Sequence, residues 1–457
     1  MRKVAFHNLG CKVNSYEMEY MQQEFEKNGY EIVPFATKAD IYVINTCTVT
    51  NIADRKSRQM LHRAKKLNPA ALVVAVGCYV QTDPKGALSD PMIDLIVGNN
   101  RKKEIVSIVE AALDGGTLTE QKDFSHVDDL RQRTEYEDLH LKHTMDHSRV
   151  SVKIQDGCDQ FCSYCIIPYA RGRSRSRDCA SVLVEVAELG KGGYREVILT
   201  GIHLSSYGLD DPGCKCSYNE AAKEGSFTNH ALLKLIDEVA KIPGMKRVRL
   251  GSLEPRIITE EFLDALKCNS AFCDHFHLSL QSGSDTVLRR MNRHYGTQEY
   301  LEKVDLIRSR FPNAALTTDV IVGFPGETEQ EFEEGRHFLD TVDFYETHVF
   351  KYSRRKGTVA DTMQGQLTEA VKEERSRILI GDSNARRKRF LENQIGKDAE
   401  VLAEEQLTTA DRTFWEGFGR NYIRCAVPVR SCGQGEVVTG RITGFLTDEI
   451  LEVSIEK

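Results

Sequence analysis

Short apolar runs alternate with longer amphipathic stretches along most of this chain. Lys3–His7, Ile41–Asn45 and Leu72–Val76 read as buried strands, and Asp94–Val97 as one more. Asn14–Asn28 and Ala53–Leu67 between them carry helical spacing, and Asn68-Pro69 stops the second helix. Buried strands separated by helices predict a parallel, doubly wound sheet. A second alternating set follows at Val150–Ile154, Glu196–Leu199, Arg247–Leu250, His275–Ser279, Leu316–Val322 and His348–Phe350. Six β/α units predict a partial (β/α)6 barrel rather than the closed eight-fold one. After a long helix over Glu369–Asn393, short runs at Asp398–Leu402, Ile423–Val427, Glu436–Gly440 and Ile450–Ile455 alternate with turn residues. That is the pattern of a small all-β barrel.

The expected class is therefore a multidomain α/β protein. Its parts are an N-terminal α/β domain (1–113), a linker (114–145), the partial barrel (146–375), a basic helical arm (376–393) and the β barrel (394–457). The linker loses apolar periodicity and is rich in charge and histidine (His126, His140, His143, His147), so a surface course is expected. Residues 207–229 read as an inserted surface loop. Arg375, Arg377, Arg386, Arg387, Lys388 and Arg389 give the arm a cluster able to contact phosphates, or simply a solvated face.

A chain of 457 residues suits about three domains, and 40% hydrophobic with 28% charged residues is ordinary globular composition. The net charge of −7 gives no global basic signature, so any nucleic-acid surface must be local. No apolar run has signal-peptide or membrane-span length, so a cytoplasmic protein without a membrane partner is expected. In that compartment the 13 cysteines read as metal ligands or buried thiols rather than a disulfide framework.

Three of them stand in Cys158-Asp-Gln-Phe-Cys162-Ser-Tyr-Cys165, a C-x3-C-x2-C spacing with no fourth local thiol. A [4Fe–4S] cluster takes one ligand per iron, so three local thiolates leave one iron open to a small molecule. Tyr164 offers an aromatic face beside it, and Gly157 allows a tight bend. A structural zinc knuckle or a chance group of buried thiols is the blander reading, but zinc sites usually close with four ligands. Cys11, Cys47 and Cys78 each lie just past a predicted strand, where an open α/β sheet forms its ligand crevice. They make a second candidate three-thiolate set, or three small buried hydrophobes. Cys214-Lys-Cys216 is too short a pattern to carry a third site.

The barrel's strand ends are where such folds place chemistry. They carry Thr200 with Gly201, Ser252 with Glu254, Ser279 with Gln281, Asp319 through Gly323, and Tyr352 with Ser353. Gly201 and Gly323 permit a ligand close to the backbone, Glu254 can meet an ammonium or ribose hydroxyl, and Gln281 a ribose or carboxylate. A capped strand end is the alternative for each.

The three-cysteine loop resembles that of radical S-adenosylmethionine enzymes. Together with Leu-Gly-Cys-Lys-Val-Asn, Asn-Thr-Cys-Thr-Val-Thr and Val-Gly-Cys-Tyr around Cys11, Cys47 and Cys78, it resembles the methylthiotransferase family over essentially the whole chain. The start at Leu9–Asn14 is most similar to the branch acting on N6-threonylcarbamoyladenosine at position 37 of tRNA. The resemblance implies two [4Fe–4S] clusters. Cys158, Cys162 and Cys165 would hold the one that cleaves S-adenosylmethionine, and Cys11, Cys47 and Cys78 the auxiliary one associated with sulfur. It also implies S-adenosylmethionine contacts from Tyr164, Thr200, Gly201, Glu254, Ser279, Gln281, Asp319, Gly323 and Tyr352. Its implied partners are tRNA and an electron donor such as a flavodoxin or ferredoxin. The last barrel resembles the RNA-binding TRAM domain, with Arg412, Arg420, Arg424, Arg430 and Arg441 as a basic face and Phe414, Trp415 and Phe418 as stacking surfaces. From Leu391 onward, however, seven Lys/Arg stand against twelve Asp/Glu, a net of −5. Alternatives are the same chemistry on a ribosomal-protein side chain or on isopentenyladenosine 37. A noncatalytic iron–sulfur or zinc RNA-binding protein is the alternative of another class.

Overall fold

The computed structural model describes residues 1–114, 126–132, 134–144, 148–211, 216–223, 225–409 and 412–455. The N-terminal sheet contains β1 (Lys3–Asn8), β2 (Glu31–Val33), β3 (Ile41–Thr46), β4 (Leu72–Gly77) and β5 (Leu95–Val97), in the order β2-β1-β3-β4-β5. All neighbours are parallel. β3 and β4 are buried along their whole length, which is why they read as unbroken apolar runs. β2, three half-buried residues, left no such run to find.

The central part begins with β6 (Arg149–Lys153) and a two-residue pair, β7 (Gln155–Asp156) with β8 (Arg175–Ser176). It continues through β9 (Glu196–Thr200), β10 (Arg247–Leu250), β11 (His275–His277), β12 (Ala315–Val322) and β13 (Glu346–Lys351). β6-β9-β10 and β11-β12-β13 form two parallel three-stranded sheets. Bridges from Val248 to Phe272 and Leu253 to Leu278 join them, so the six strands make one open barrel in chain order. Phe276, Leu278, Leu316, Val320 and Val322 pack with helical residues such as Tyr300, Val304 and Leu339, leaving the alternate positions to face the lumen.

Among the described residues of the expected surface linker, most are exposed or half-buried, but a few apolar ones are anchored in the domains it joins. Leu130, Leu139 and Leu141 are buried, and the last two join the N-terminal core. Tyr16 donates its hydroxyl to the Leu139 carbonyl, and the Leu141 amide donates to Glu185 at 2.8 Å. Without the regular periodicity of a helix or strand, isolated apolar residues can still be clamped between two domains. Of its histidines, His140 pairs with Ser181 at 3.1 Å and His147 lies outside the described residues.

The helix Glu369–Glu392 packs against β13, where Ser383 accepts the Thr347 amide at 2.9 Å. Its cationic cluster is largely committed to ion pairs: Arg375 with Glu327 and Glu329, Arg386 with Asp340, Arg387 with Glu449, and Arg389 with Asp343. It is thus mainly a structural clasp rather than a free phosphate-binding face. Beyond it, β14 (Asp398–Thr408), β15 (Thr413–Gly419), β16 (Arg424–Pro428), β17 (Val437–Thr447) and β18 (Ile450–Ser454) close a barrel in the order β14-β15-β16-β18-β17. That barrel sits on the N-terminal ends of β6, β9 and β10. Arg247 donates to the carbonyls of Phe418 and Glu400 (2.8 and 2.7 Å), and Arg249 to that of Arg420 (2.9 Å).

Part of the expected RNA-facing set of this barrel has partners within the protein, while Arg430 and Arg441 are exposed. Phe414 is core, Trp415 donates Nε1 to the Cys432 carbonyl, and Phe418 lies beneath the Arg149 guanidinium at 4.1 Å. Arg412 and Arg424 pair with Glu452 and Glu416, while Arg420 caps the Phe272 carbonyl. Among the described residues, no helix is long and apolar enough to cross a membrane.

Candidate active site

Both cysteine sets lie at the C-terminal ends of parallel strands, on the side of the open barrel opposite the small β barrel. Cys47 directly follows β3, Cys78 directly follows β4, and Cys11 lies three residues past β1. Because β1, β3 and β4 are neighbours in the sheet, residues 36 and 31 positions apart are delivered to one crevice. Cys78 and Cys47 are buried while Cys11 is exposed. Burial, then the nearby Cys78 and Cys11, pushes the Cys47 thiol up to about 11. Gly10 must be glycine: its φ is +124°, and a Cβ there would stand 3.3 Å from that of Cys47.

The second set is local. β7 and β8 pinch the loop that carries Cys158, Cys162 and Cys165, and the Cys158 amide bonds the Gly172 carbonyl at 3.0 Å. Gly157 has φ +72°, and a Cβ would come within 2.0 Å of the Arg173 carbonyl oxygen, so the pinch excludes any side chain there. Ser163 ties the loop to the carbonyls of Met291 and Arg290, at 3.0 and 2.8 Å. Burial raises the Cys158 thiol well above its ordinary value and pushes Cys165 up to about 12, the neighbouring Cys162 adding to both.

Each trio has one arginine that the sequence did not single out, Arg171 buried and Arg293 half-buried. Arg171 is close enough to act electrostatically on Cys11, Cys47 and Cys78. It is held by Glu17 at 2.8 Å and Asp156 at 3.1 Å, in a buried group that includes Lys102 and Lys153. Arg293 donates to the Cys162 sulfur at 3.3 Å and to the Tyr295 hydroxyl at 2.9 Å. Asn99 donates to the Cys78 sulfur at 3.4 Å and to the carbonyl of Ala170, beside Arg171, at 2.7 Å. No local spacing announced these residues; only their tertiary contacts identify them.

The donor set fits iron–sulfur clusters. All six cysteines are free of disulfides, and each trio meets an arginine suited to thiolate charge. Tetrahedral zinc with roughly 2.3 Å bonds holds its sulfurs roughly 3.8 Å apart. Among the described residues, the one group of three ligating side chains with all ligand atoms within 4.8 Å of one another contains no cysteine. Neither trio is therefore drawn in to single-ion spacing.

Strand-end residues around the second loop fall into two groups. Glu254 is buried, accepts from the Tyr218 hydroxyl and the Arg256 amide, and lies near Arg293 and His203. Thr200 is buried at the end of β9. Gln281 holds φ +74°, an unusual conformation for a side-chain-bearing residue at a strand end. Tyr164 and Tyr352 pack in one small cluster with Phe324, and Ser279 accepts the Tyr295 hydroxyl on its carbonyl at 2.6 Å. His203 joins them: its Nε2 is buried with no partner, and burial pushes it down to about 4. The other three are placed differently. A Cβ on Gly201 would meet Gln155 at 2.9 Å, and one on Gly323 would meet Lys372 at 2.4 Å, so these glycines accommodate protein rather than ligand. Asp319 lies in the middle of β12, beside His277, short of the strand end.

A cleft of about 890 Å3 is lined by Tyr79 and Thr82 after Cys78 and by Ile166 and Tyr169 after Cys165. Arg355 crosses it to Thr48 and Asp54, both at 2.6 Å, and the lining mixes Arg58, Lys85, Arg131 and Lys356 with Asp83, Asp128 and Asp129.

Residues 3–98 match the family described as Uncharacterized protein family UPF0004, and residues 152–339 match the Radical SAM superfamily. The chain is 39% identical to the threonylcarbamoyladenosine tRNA methylthiotransferase MtaB of Bacillus subtilis, covering 93% of this chain and 90% of that one. The chain belongs to the radical S-adenosylmethionine methylthiotransferase family. S-Adenosylmethionine, [4Fe–4S] chemistry and an enzymatic, group-transferring activity come with that membership. The MtaB of Aquifex aeolicus is also 39% identical, over 88% of this chain and 93% of that one. A tRNA-2-methylthio-N(6)-dimethylallyladenosine synthase of Acetivibrio thermocellus is 33% identical over 90% of this chain and 82% of its own. Among solved structures, the radical S-adenosylmethionine methyltransferase TsrM of Kitasatospora setae shares the fold. Its TM-score is 0.54 at 19% identity, covering 79% of this chain and 77% of that one.

Proposed function

We propose that this methylthiotransferase converts C2–H of N6-threonylcarbamoyladenosine at position 37 of tRNA to C2–S–CH3. The observation that carries the reading is the 39% identity, over nearly the whole chain, to a relative named for that substrate, with both cysteine trios in place. Cys158, Cys162 and Cys165 hold one [4Fe–4S] cluster, and Cys11, Cys47 and Cys78 the other. When bound, the first supplies the electron that cleaves S-adenosylmethionine and the second presents the sulfur to be inserted. Arg293 balances thiolate charge at the first trio and Arg171 at the second. Thr200, Glu254, Ser279, Gln281 and Tyr352, with Tyr164 and the orphaned His203 nitrogen, line the S-adenosylmethionine side. The cleft lined by Tyr79, Thr82, Ile166, Tyr169 and Arg355 receives the anticodon loop. Electrons come from a flavodoxin- or ferredoxin-like donor.

Mass spectrometry of tRNA nucleosides from a strain lacking the gene tests this. Loss of the 2-methylthio form with accumulation of its unthiolated precursor is expected. Loss of the dimethylallyl counterpart instead keeps the reaction and changes the substrate, as the Acetivibrio relative allows. An unchanged profile from a strain with no second such enzyme removes the tRNA reading and favours a ribosomal-protein substrate.

A further inference from the structure

The group with single-ion spacing is His277, Asp319 and His348. These residues come from three adjacent parallel strands, β11, β12 and β13, with Asp319 and His348 directly opposite each other in register. They point to the lumen, since Phe276, Leu278, Val320 and Val349 beside them face the helices. His277 Nε2 lies 3.4 Å from Asp319 Oδ2, and the two imidazole rings are stacked with centroids 5.8 Å apart. The other His277 nitrogen, Nδ1, bonds Thr317 Oγ1 at 3.0 Å, which fixes the ring with Nε2 toward the carboxylate. Orientation of a ligating histidine through its second nitrogen is the usual outer contact of a metal site. Nitrogen and oxygen ligands at roughly 2.1 Å in tetrahedral array stand roughly 3.4 Å apart, the separation of the His277–Asp319 pair, and all three ligand atoms lie within 4.8 Å of one another.

We propose that His277, Asp319 and His348 form a divalent-metal site on the lumen wall, separate from both cysteine trios. Two imidazoles and one carboxylate on one sheet face suit a first-row ion such as Mn2+, Fe2+ or Zn2+, and leave its remaining positions open to the lumen. The site does not depend on the tRNA reading, because its ligands touch neither trio.

The test is titration of the cluster-loaded enzyme with Mn2+ alone, followed by electron paramagnetic resonance with the clusters in their silent oxidised state. Mn2+ favours carboxylate and imidazole over thiolate, so the cysteines compete poorly. One bound Mn2+ per chain, displaced by Zn2+ and showing nitrogen couplings, is expected. H348A and D319N should each weaken it by about 100-fold. His348 is exposed on an edge strand, so its replacement leaves the core packing untouched, and equal thermal midpoints confirm a folded variant. No saturable binding at millimolar Mn2+, or binding that survives either substitution, overturns the proposal.

Discussion

The two cysteine trios are assembled by opposite routes. Cys158, Cys162 and Cys165 lie within eight residues, on a loop pinched by β7 and β8 and held by backbone contacts. Cys11, Cys47 and Cys78 are spread over 68 residues and meet only because three strands are parallel neighbours. Their arginines differ in the same way. Arg171 is locked by carboxylates of both the N-terminal helix and the barrel, whereas Arg293 bonds a phenol and a thiol. The local site is thus built by chain geometry, and the dispersed site by domain packing around a buried ionic group.

The largest effect should come from separating the trios chemically. Cys162→Ala is expected to reduce deoxyadenosine formation by at least about 100-fold, a loss of about 3 kcal/mol. Cys47→Ala should leave that reaction largely intact and stop sulfur insertion; chromatography of both products decides it. If the two variants behave alike, the division of labour is refuted.

Next in size is stability. Glu17 accepts from Lys153 and Arg171 and lies 3.2 Å from Lys102, all buried, and these cations hold its carboxyl far below the usual range against the cost of burial. Glu17→Ala strands those cations and should cost about 3–5 kcal/mol in chemical denaturation. The loss should fall on the dispersed trio's iron content more than on the local one's. Equal loss from both would show that one packing unit supports both sites.

The smallest effect concerns pH. His203 is held neutral, its folded value about 4 against 6.5 unfolded, so the unfolded chain binds more protons between those values. Its contribution is intact above pH 6.5 and is lost as pH falls, at about 1.4 kcal/mol per unit, down to about 4. His203→Asn should flatten this part of the stability curve. A wild-type curve already flat between pH 6.5 and 5 would place the ring in contact with solvent.

Legibility followed the range of the interaction. The apolar runs of β3 and β4 and the C-x3-C-x2-C spacing are one-dimensional signals, and the structure has strands and a pinched loop at those places. β2 was too short to signal, and Leu139 in the linker belongs to no period although it is buried. The arginines of the long helix and the aromatics of the small barrel, read as candidates for nucleic-acid contact, also have partners within the protein that sequence alone cannot show.

The sequence by itself determined the strand order of events: which runs are buried, where helices stop, and which thiols follow strands, because burial and turn chemistry are written in neighbouring residues. Only the tertiary structure decided which glycines serve packing, which arginine meets each trio, and that His277, Asp319 and His348 converge. Those outcomes depend on sheet register and domain contact, which join residues that no local pattern connects.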